Sequence, residues 1–386
     1  MALATIEPPE TGSDLKAPIR VMVCDDSLAI RAIISRILGR DSGIEVVAQA
    51  PDGKRAAELL RGGNIDVIVL DVEMPVLDGL SSLPVLLRID PSVRIIMASA
   101  LTTAGGAITM QALQAGAADY VPKPASNQAE EFARELLAKV KGQGRLRRLA
   151  RRRSVSPKRR ASGIDGPSLA PQAASSPAGS LALRPRPPRT AKLLAIGSST
   201  GGPQALFSLF QALSAPLQVP IIVTQHMPPV FTRSLAEHIN RIGQRSCAEA
   251  RHGDLLRPDQ VLVAPGDRHM TIQAHDGALR VVLTEDPPEN SCRPAVDPML
   301  RTASAACDGR VLAVILTGMG QDGLRGAQDL VAAGGAVLAQ DEPSSVVWGM
   351  PGAVARAGLC HAVLPIPELA GKIMQMLNRQ TLPGLS

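Results

Sequence analysis

Several short runs in this chain are apolar from end to end and stop abruptly at a polar or glycine-rich residue. Strands with one wet face would alternate, so the pattern fits strands buried on both faces of a mainly parallel sheet. Helical periods lie between the runs, as over Leu28 to Leu38 and Glu130 to Val140, and the chain reads as α/β throughout. In open sheets of this kind the residues just past the carboxyl ends of the strands converge on one crevice. What stands at those ends therefore decides the chemistry.

The run Lys192 to Ile196 opens onto Gly197-Ser198-Ser199-Thr200-Gly201-Gly202, Ile221 to Gln225 ends at His226, and Leu316-Thr317-Gly318-Met319-Gly320 leads to Asp322. A serine, a histidine and an aspartate so placed make a nucleophile, a general base and an orienting acid, the set of a serine hydrolase. Gly197-x-Ser199-x-Gly201 has the spacing of a turn that lifts a serine hydroxyl clear of the backbone, which favours Ser199 over Ser198. Backbone N–H groups near Met319 and after Ser199 are placed to hold an oxyanion. The same glycine-rich turn also suits a phosphate cradle at a helix N-terminus, and Asp322 in its own turn also suits a bond to nearby backbone. The order serine, histidine, aspartate departs from the serine, acid, histidine order of the α/β-hydrolase fold, so a different fold with convergent chemistry is predicted. His238, His252, His269, His275 and His361 lack such a context and are read as surface or structural groups.

A second constellation occupies the first third of the chain. Arg20 to Cys24 ends in Asp25-Asp26, the run up to Leu70 ends in Asp71, Ile95 to Ala98 ends at Ser99, and Tyr120-Val121-Pro122-Lys123 closes a fourth segment. Asp25, Asp26 and Asp71 form a hard-oxygen pocket suited to Mg²⁺, with Asp71 placed to accept a phosphoryl group in line. Lys123 then neutralises phosphate charge and the Ser99 hydroxyl donates to a phosphate oxygen.

Strands are predicted near 19–24, 44–49, 66–70, 93–98 and 118–121, a five-stranded parallel sheet of the flavodoxin type. A second set near 192–196, 220–225, 260–264, 279–284, 311–316, 336–340 and 361–364 predicts a larger doubly wound sheet. Met270 to Gln273 and Leu279 to Leu283 flank Gly277 as a hairpin, so this sheet is expected to be mixed. Between the two regions, residues 141–189 carry 13 Lys or Arg against the single acid Asp165. Their net charge is +12 in a chain of +6, so the remainder carries −6, the difference between the two. With seven prolines and little apolar periodicity, 141–189 is expected to be a flexible tether. Such a basic segment is either a self-repelling spacer or an attraction for nucleic acid, anionic lipid or an acidic partner. The expected division is a disordered lead 1–17, a first domain 18–140, the tether 141–189 and a second domain 190–386.

Composition narrows the classes. Only 6 aromatic residues occur, which leaves no supply of stacking faces for nucleobases, and no helix-turn-helix pattern follows the tether; no nucleic-acid partner is expected. Five cysteines lie scattered without a C-x-x-C pair and no leader opens the chain, so reduced thiols and a cytoplasmic location are expected. No apolar run approaches a membrane span, and no membrane insertion is expected.

These motifs carry a resemblance. Residues 19 to about 140 resemble a response-regulator receiver domain through Asp25-Asp26, Asp71 within Leu70-Asp71-Val72-Glu73-Met74-Pro75-Val76-Leu77-Asp78-Gly79, the switch pair Ser99 and Tyr120, and Lys123. Residues 191 to about 380 resemble the catalytic domain of the chemotaxis methylesterase (CheB) family. The motifs are Ile196 to Gly202, Gln225-His226-Met227-Pro228, Leu316 to Gly323, Gln340-Asp341-Glu342 and Val347-Trp348-Gly349-Met350-Pro351. The resemblance implies a methylesterase and glutamine deamidase that acts on methyl-accepting chemoreceptors, to whose arrays it associates peripherally, with phosphate supplied by a chemotaxis-type histidine kinase. It assigns the Met319 amide to the oxyanion hole and Thr200 to positioning the histidine. It implies Mg²⁺ for phosphorylation of Asp71 and no cofactor for hydrolysis. It also implies that the unphosphorylated receiver packs across the hydrolase opening and that Tyr120 turns inward on phosphorylation. The competing reading is a phospho-regulated binding module of a pathway other than chemotaxis.

Overall fold

The five apolar segments of the first region become strands β1 (Ile19–Cys24), β2 (Ile44–Ala50), β3 (Val67–Asp71), β4 (Arg94–Ser99) and β5 (Asp119–Pro122), in a computed structural model that describes residues 17–100, 102–123, 129–155, 181–185 and 189–377. The expected lead, Ala17 apart, and residues 156–180 and 186–188 of the expected tether lie outside the described residues. All five strands are parallel, in the order β2-β1-β3-β4-β5. Alternate side chains serve opposite faces. Val21, Val23, Val67 and Val69 pack with Leu38, Phe132, Leu136 and Val140 of helices α1 (Leu28–Leu38) and α5 (Ala129–Val155). Met22, Ile68 and Leu70 face α2 (Gly53–Arg61), α3 (Gly79–Ile89) and α4 (Thr103–Gln114). Side chains cap the helix starts: Ser27, Asp52, Asp78 and Thr102 each accept an N–H from the first turn that follows.

The second region supplies β6 (Leu193–Ser198), β7 (Ile221–Gln225), β8 (Cys247–Glu249), β9 (Val261–Val263), β10 (His269–His275), β11 (Ala278–Thr284), β12 (Val311–Ile315), β13 (Ala336–Gln340) and β14 (Ala362–Leu364). Seven form one sheet in the order β14-β13-β12-β6-β7-β9-β8, every pair parallel. Helices α6 (Gly202–Ala212), α7 (Pro229–Ile242) and α11 (Ile366–Leu377) cover one face, and α8 (Val296–Ala306), α9 (Leu324–Ala332) and α10 (Met350–Arg356) the other. The strand order reverses between β6 and β12, and a crevice opens beyond the carboxyl ends of that pair.

Two expectations are corrected. The hairpin β10-β11 is a separate antiparallel pair, so the large sheet is not mixed. Its buried Met270, Ile272 and Val281 pack on α8, where Thr302 Oγ1 accepts the Ile272 N–H at 3.0 Å and so takes a backbone donor that a neighbouring strand would otherwise pair. The tether expected from 141 begins instead as 15 further residues of α5. Arg147, 2% exposed, meets Asp90 at 2.6 Å and Asp66 at 3.4 Å, and Arg148 meets Asp66 at 2.9 Å. Carboxylates of the first domain thus neutralise charges that the sequence suggests repel one another. Glycines allow the helix a close approach: a Cβ on Gly142 would stand 2.3 Å from Val346 O, and one on Gly144 2.6 Å from Ile19 Cγ2.

The two domains meet along α4, β5 and α5 of the first and α6, α7 and the Val346 loop of the second. Tyr120 and Phe231 pack with their ring centroids 4.8 Å apart and their planes tilted by 42°. Gln204 donates to the carbonyls of Leu113 and Ala117, and Arg145 donates to those of Glu342 and Ser345. No described helix is long and apolar enough to cross a membrane.

Candidate active site and phosphoacceptor site

Strand β6 carries Ser198 inside the sheet, where it is fully buried and donates to Gln225 Oε1 at 2.7 Å. Ser199 is the first residue beyond the strand and half-buried. Its N–H donates to Thr317 O at 3.0 Å, while its carbonyl accepts from Gly202 N at 2.8 Å and Gln225 Nε2 at 2.9 Å. The turn then needs glycine twice. Gly201 lies at φ +75°, and a Cβ on Gly202 would stand 1.9 Å from Gln225 Oε1. Gln225 also donates to His226 O at 3.0 Å, so one amide braces both the nucleophile turn and the residue after β7.

His226 Nε2 and Asp322 Oδ2 lie 2.7 Å apart. Asp322 is 2% exposed and accepts four further bonds: from the N–H groups of Val296 (2.6 Å), Asp297 (3.1 Å) and Gly323 (2.9 Å), and from Asn290 Nδ2 (2.9 Å). Burial pushes its pKa up, but the imidazole and the N–H donors outweigh this and hold it below the usual carboxylate range. For His226 burial works downward, while the bonds to Asp322 and to Cys292 prevail and raise the pKa from 6.5 to about 10. The second ring nitrogen, Nδ1, faces Cys292 Sγ at 3.3 Å. No hydrogen bond joins Ser199 Oγ to the ring, the open geometry common in sites that tighten only around substrate.

The N–H groups of Met319 and Thr200 donate to no acceptor among the described residues, and so both are available to an oxyanion. The Gly318 turn holds them against the nucleophile: a Cβ on Gly318 would lie 2.8 Å from Ser199 Cβ. Thr200 is buried, but its hydroxyl makes no hydrogen bond to His226. Asn290 and Asp297 went unremarked in the sequence, Cys292 counted only as one of five scattered cysteines, and Gln225 only as part of a motif. Asn290 and Cys292 lie 32 and 66 residues from the partners they touch, and neither ends an apolar run.

At the first sheet, Asp71 closes β3 at 3% exposure. Lys123 Nζ stands 2.8 Å from its Oδ1 and 2.9 Å from Asp25 Oδ2. Burial, helped by Asp25 and opposed by Lys123, raises the Asp71 pKa to about 6. Carboxylate oxygens of Asp25, Asp26 and Asp71 lie within 4.8 Å of one another, beside a cleft of about 240 Å³ also lined by Glu73, Ala100 and Lys123. Ser99 Oγ is buried with no partner, and Asp25 Oδ2 has only the charge of Lys123. Such orphaned atoms fit a hard cation and an incoming phosphoryl group. A Cβ on Gly79 would fall 2.0 Å from Asp71 O, which accounts for glycine at that position. Tyr120 stands apart from this cluster. Expected to turn inward only on phosphorylation, it is already 5% exposed, held between Phe231 and the Lys139 ammonium, 4.7 Å from its ring centroid.

Fold and site together define a class: a receiver-type phosphoacceptor domain joined to a parallel α/β domain whose crevice holds a serine, a histidine and an aspartate. Residues 21–133 match the family model of the response regulator receiver domain, and residues 194–373 that of the CheB methylesterase. Relatives match nearly end to end. A protein-glutamate methylesterase/protein-glutamine glutaminase of Paramagnetospirillum magneticum is 47% identical over 97% of this chain and 100% of its own length. One of Azospirillum brasilense is 48% identical over 96% of this chain and 95% of its own. One from the group 2 operon of Rhodospirillum centenum is 50% identical over 97% and 98%. The chain belongs to the family of protein-glutamate methylesterases/protein-glutamine glutaminases.

Proposed function

We propose that this protein is a phosphorylation-activated methylesterase that hydrolyses glutamate methyl esters on methyl-accepting chemoreceptors, releasing methanol, and deamidates receptor glutamines. The observation that carries the reading is the His226–Asp322 pair lying beyond the same strand ends as Ser199, at the point where the sheet order reverses. Ser199 Oγ attacks the ester carbonyl while His226 takes its proton and then delivers it to the departing methoxide. Asp322 keeps the ring oriented and stabilises the imidazolium. The Met319 and Thr200 N–H groups receive the oxyanion, each worth on the order of 3 kcal/mol. Water, deprotonated by His226, then attacks the acyl-enzyme; carboxylate leaves and Ser199 recovers its proton. An amide enters the same sequence with ammonia as leaving group.

Asp71 is the phosphoacceptor, with phosphate drawn from a histidine kinase of the chemotaxis type. Asp25, Asp26 and Asp71 would hold a Mg²⁺, which when bound supplies charge neutralisation to the transferring phosphoryl group. Lys123 and the unpaired Ser99 hydroxyl satisfy the added phosphate oxygens. Their shift releases the contacts around Tyr120 that hold the receiver beside the nucleophile turn.

The test is methanol release from methylated receptor membranes by the native chain and by Ser199→Ala, with and without Mg²⁺ and a small phosphodonor. Release that requires Ser199 and rises with phosphodonor is expected. Well-folded protein that releases no methanol under any condition would overturn the reading.

A further inference from the structure

On the catalytic domain, the turn between β11 and α8 and the first two residues of α8 send several groups to the His226–Asp322 pair at once. Cys292 presents its thiol to His226 Nδ1, and Val296 and Asp297 present their N–H groups to Asp322. The turn is itself anchored. Glu289 and Cys292 exchange backbone bonds at 3.2 and 2.9 Å, and Glu289 is gripped by both terminal nitrogens of Arg301, at 2.6 and 3.1 Å. At its tip, Asn290 adopts φ +53°, a left-handed conformation that asparagine tolerates better than most residues. A role confined to the turn would leave its side chain in solvent or bonded to nearby backbone.

The side chain does something else. The residue is exposed at the tip, yet Asn290 Nδ2 reaches inward, 2.9 Å from Asp322 Oδ1 and 2.9 Å from Asp297 Oδ2. Both amide protons are thereby committed, one to each of two buried carboxylates. Asp297 is 1% exposed, and its other oxygen accepts Gly326 N–H at 2.7 Å, so it is fixed at the start of α9. Two carboxylates facing each other in a buried site repel, and a shared donor between them is the simplest way to hold both.

We infer that Asn290 is a positioning residue for the hydrolytic reaction: by bridging Asp322 to the fixed Asp297 it locks the carboxylate plane that aims His226. Oxygen Oδ2 of Asp322 faces the imidazole, so rotation of that carboxylate carries the ring with it, and Asn290 is the one side chain besides His226 that bonds Asp322 among the described residues. Supporting hydrogen bonds of this kind tune the group they hold rather than touch substrate. The inference rests on the reading of Ser199, His226 and Asp322 as the catalytic set.

The test is a double-mutant cycle in the full chain, with methanol release as the assay and Ser199→Ala as the reference for enzymatic turnover. Asn290→Ala is expected to lower kcat by about ten- to a hundredfold with KM unchanged. In an Asp322→Asn background the same change is expected to cost less than about threefold, since groups that act as one unit are not additive. Equal losses in both backgrounds, or a kcat unchanged by Asn290→Ala, would overturn the inference while leaving the triad standing. Activity that survives Ser199→Ala would instead sink the triad itself. Asn290→Ser, too short to span both acids but at home in the conformation Ser291 already adopts at φ +62°, repeats the measurement should the alanine variant not fold.

Discussion

At the residue scale, two buried acids are driven in opposite directions. Asp322 collects five donors and stays ionised, whereas Asp71 has one lysine against burial and a neighbouring carboxylate. The sign for Asp71 follows from its raised folded pKa. The fold favours the protonated form, a contribution present below pH 3.8 that disappears as pH rises through about 6. Above that, ionised Asp71 costs on the order of 2–3 kcal/mol, and Asp71→Asn is expected to raise the thermal midpoint at pH 7.5 without Mg²⁺ but not at pH 4. Calorimetry at the two pH values checks this. His226 has the opposite use for its neighbours. With a pKa raised toward 10, the neutral base accumulates only as pH rises, so kcat/KM is expected to climb between pH 6.5 and 10. Asp322→Asn removes the charge that holds the proton; the limb then moves down toward 6.5 while kcat falls about a thousandfold or more. Pre-steady-state methanol release across pH resolves both effects.

At the scale of elements, the start of α6 is a tight joint. Gln225 on β7 braces Ser198, Ser199 and His226 together, and it occupies the space that any side chain at 202 would need. Gly202→Ala is expected to cost roughly 1–3 kcal/mol and to depress activity further than a surface change of equal cost elsewhere. Paired measurements of melting temperature and methanol release on the two variants make the comparison. Most strands were legible because they are near-continuous apolar runs, and α1 was legible to the residue because its apolar period is clean. The extension of α5 was not, because arginines that read as a repelling tract find Asp66 and Asp90 only after folding. Strand β8 went unseen, three residues long with only Cys247 buried.

At the scale of the whole molecule, a buried receiver carboxylate touches the hydrolase directly. Asp119 Oδ2 accepts the Gly201 N–H at 3.0 Å, two residues past Ser199, while its Oδ1 accepts Tyr120 N–H and faces Lys139. Tyr120 packs on Phe231 of α7 from the same strand, so movement of β5 reaches the nucleophile turn through Asp119 and α7 through Tyr120. Asp119→Ala is expected to raise methanol release without phosphodonor by roughly fivefold or more and to shrink the phosphodonor response, because less inhibition is then left for phosphorylation to relieve. An unchanged basal rate would show that this contact carries no inhibition. Read alone, the order of residues was enough for two α/β sheets, the second of them expected to be mixed, and for the groups at their strand ends, because burial on both faces writes most of the strands as near-unbroken apolar runs and topology sends their ends to the crevice. Which distant groups complete each site, and how the domains lie together, emerged only on folding. Asn290, Cys292, Gln225 and Asp119 act through a few side-chain hydrogen bonds to segments far apart in the chain, and such bonds leave no periodic trace in the order of residues.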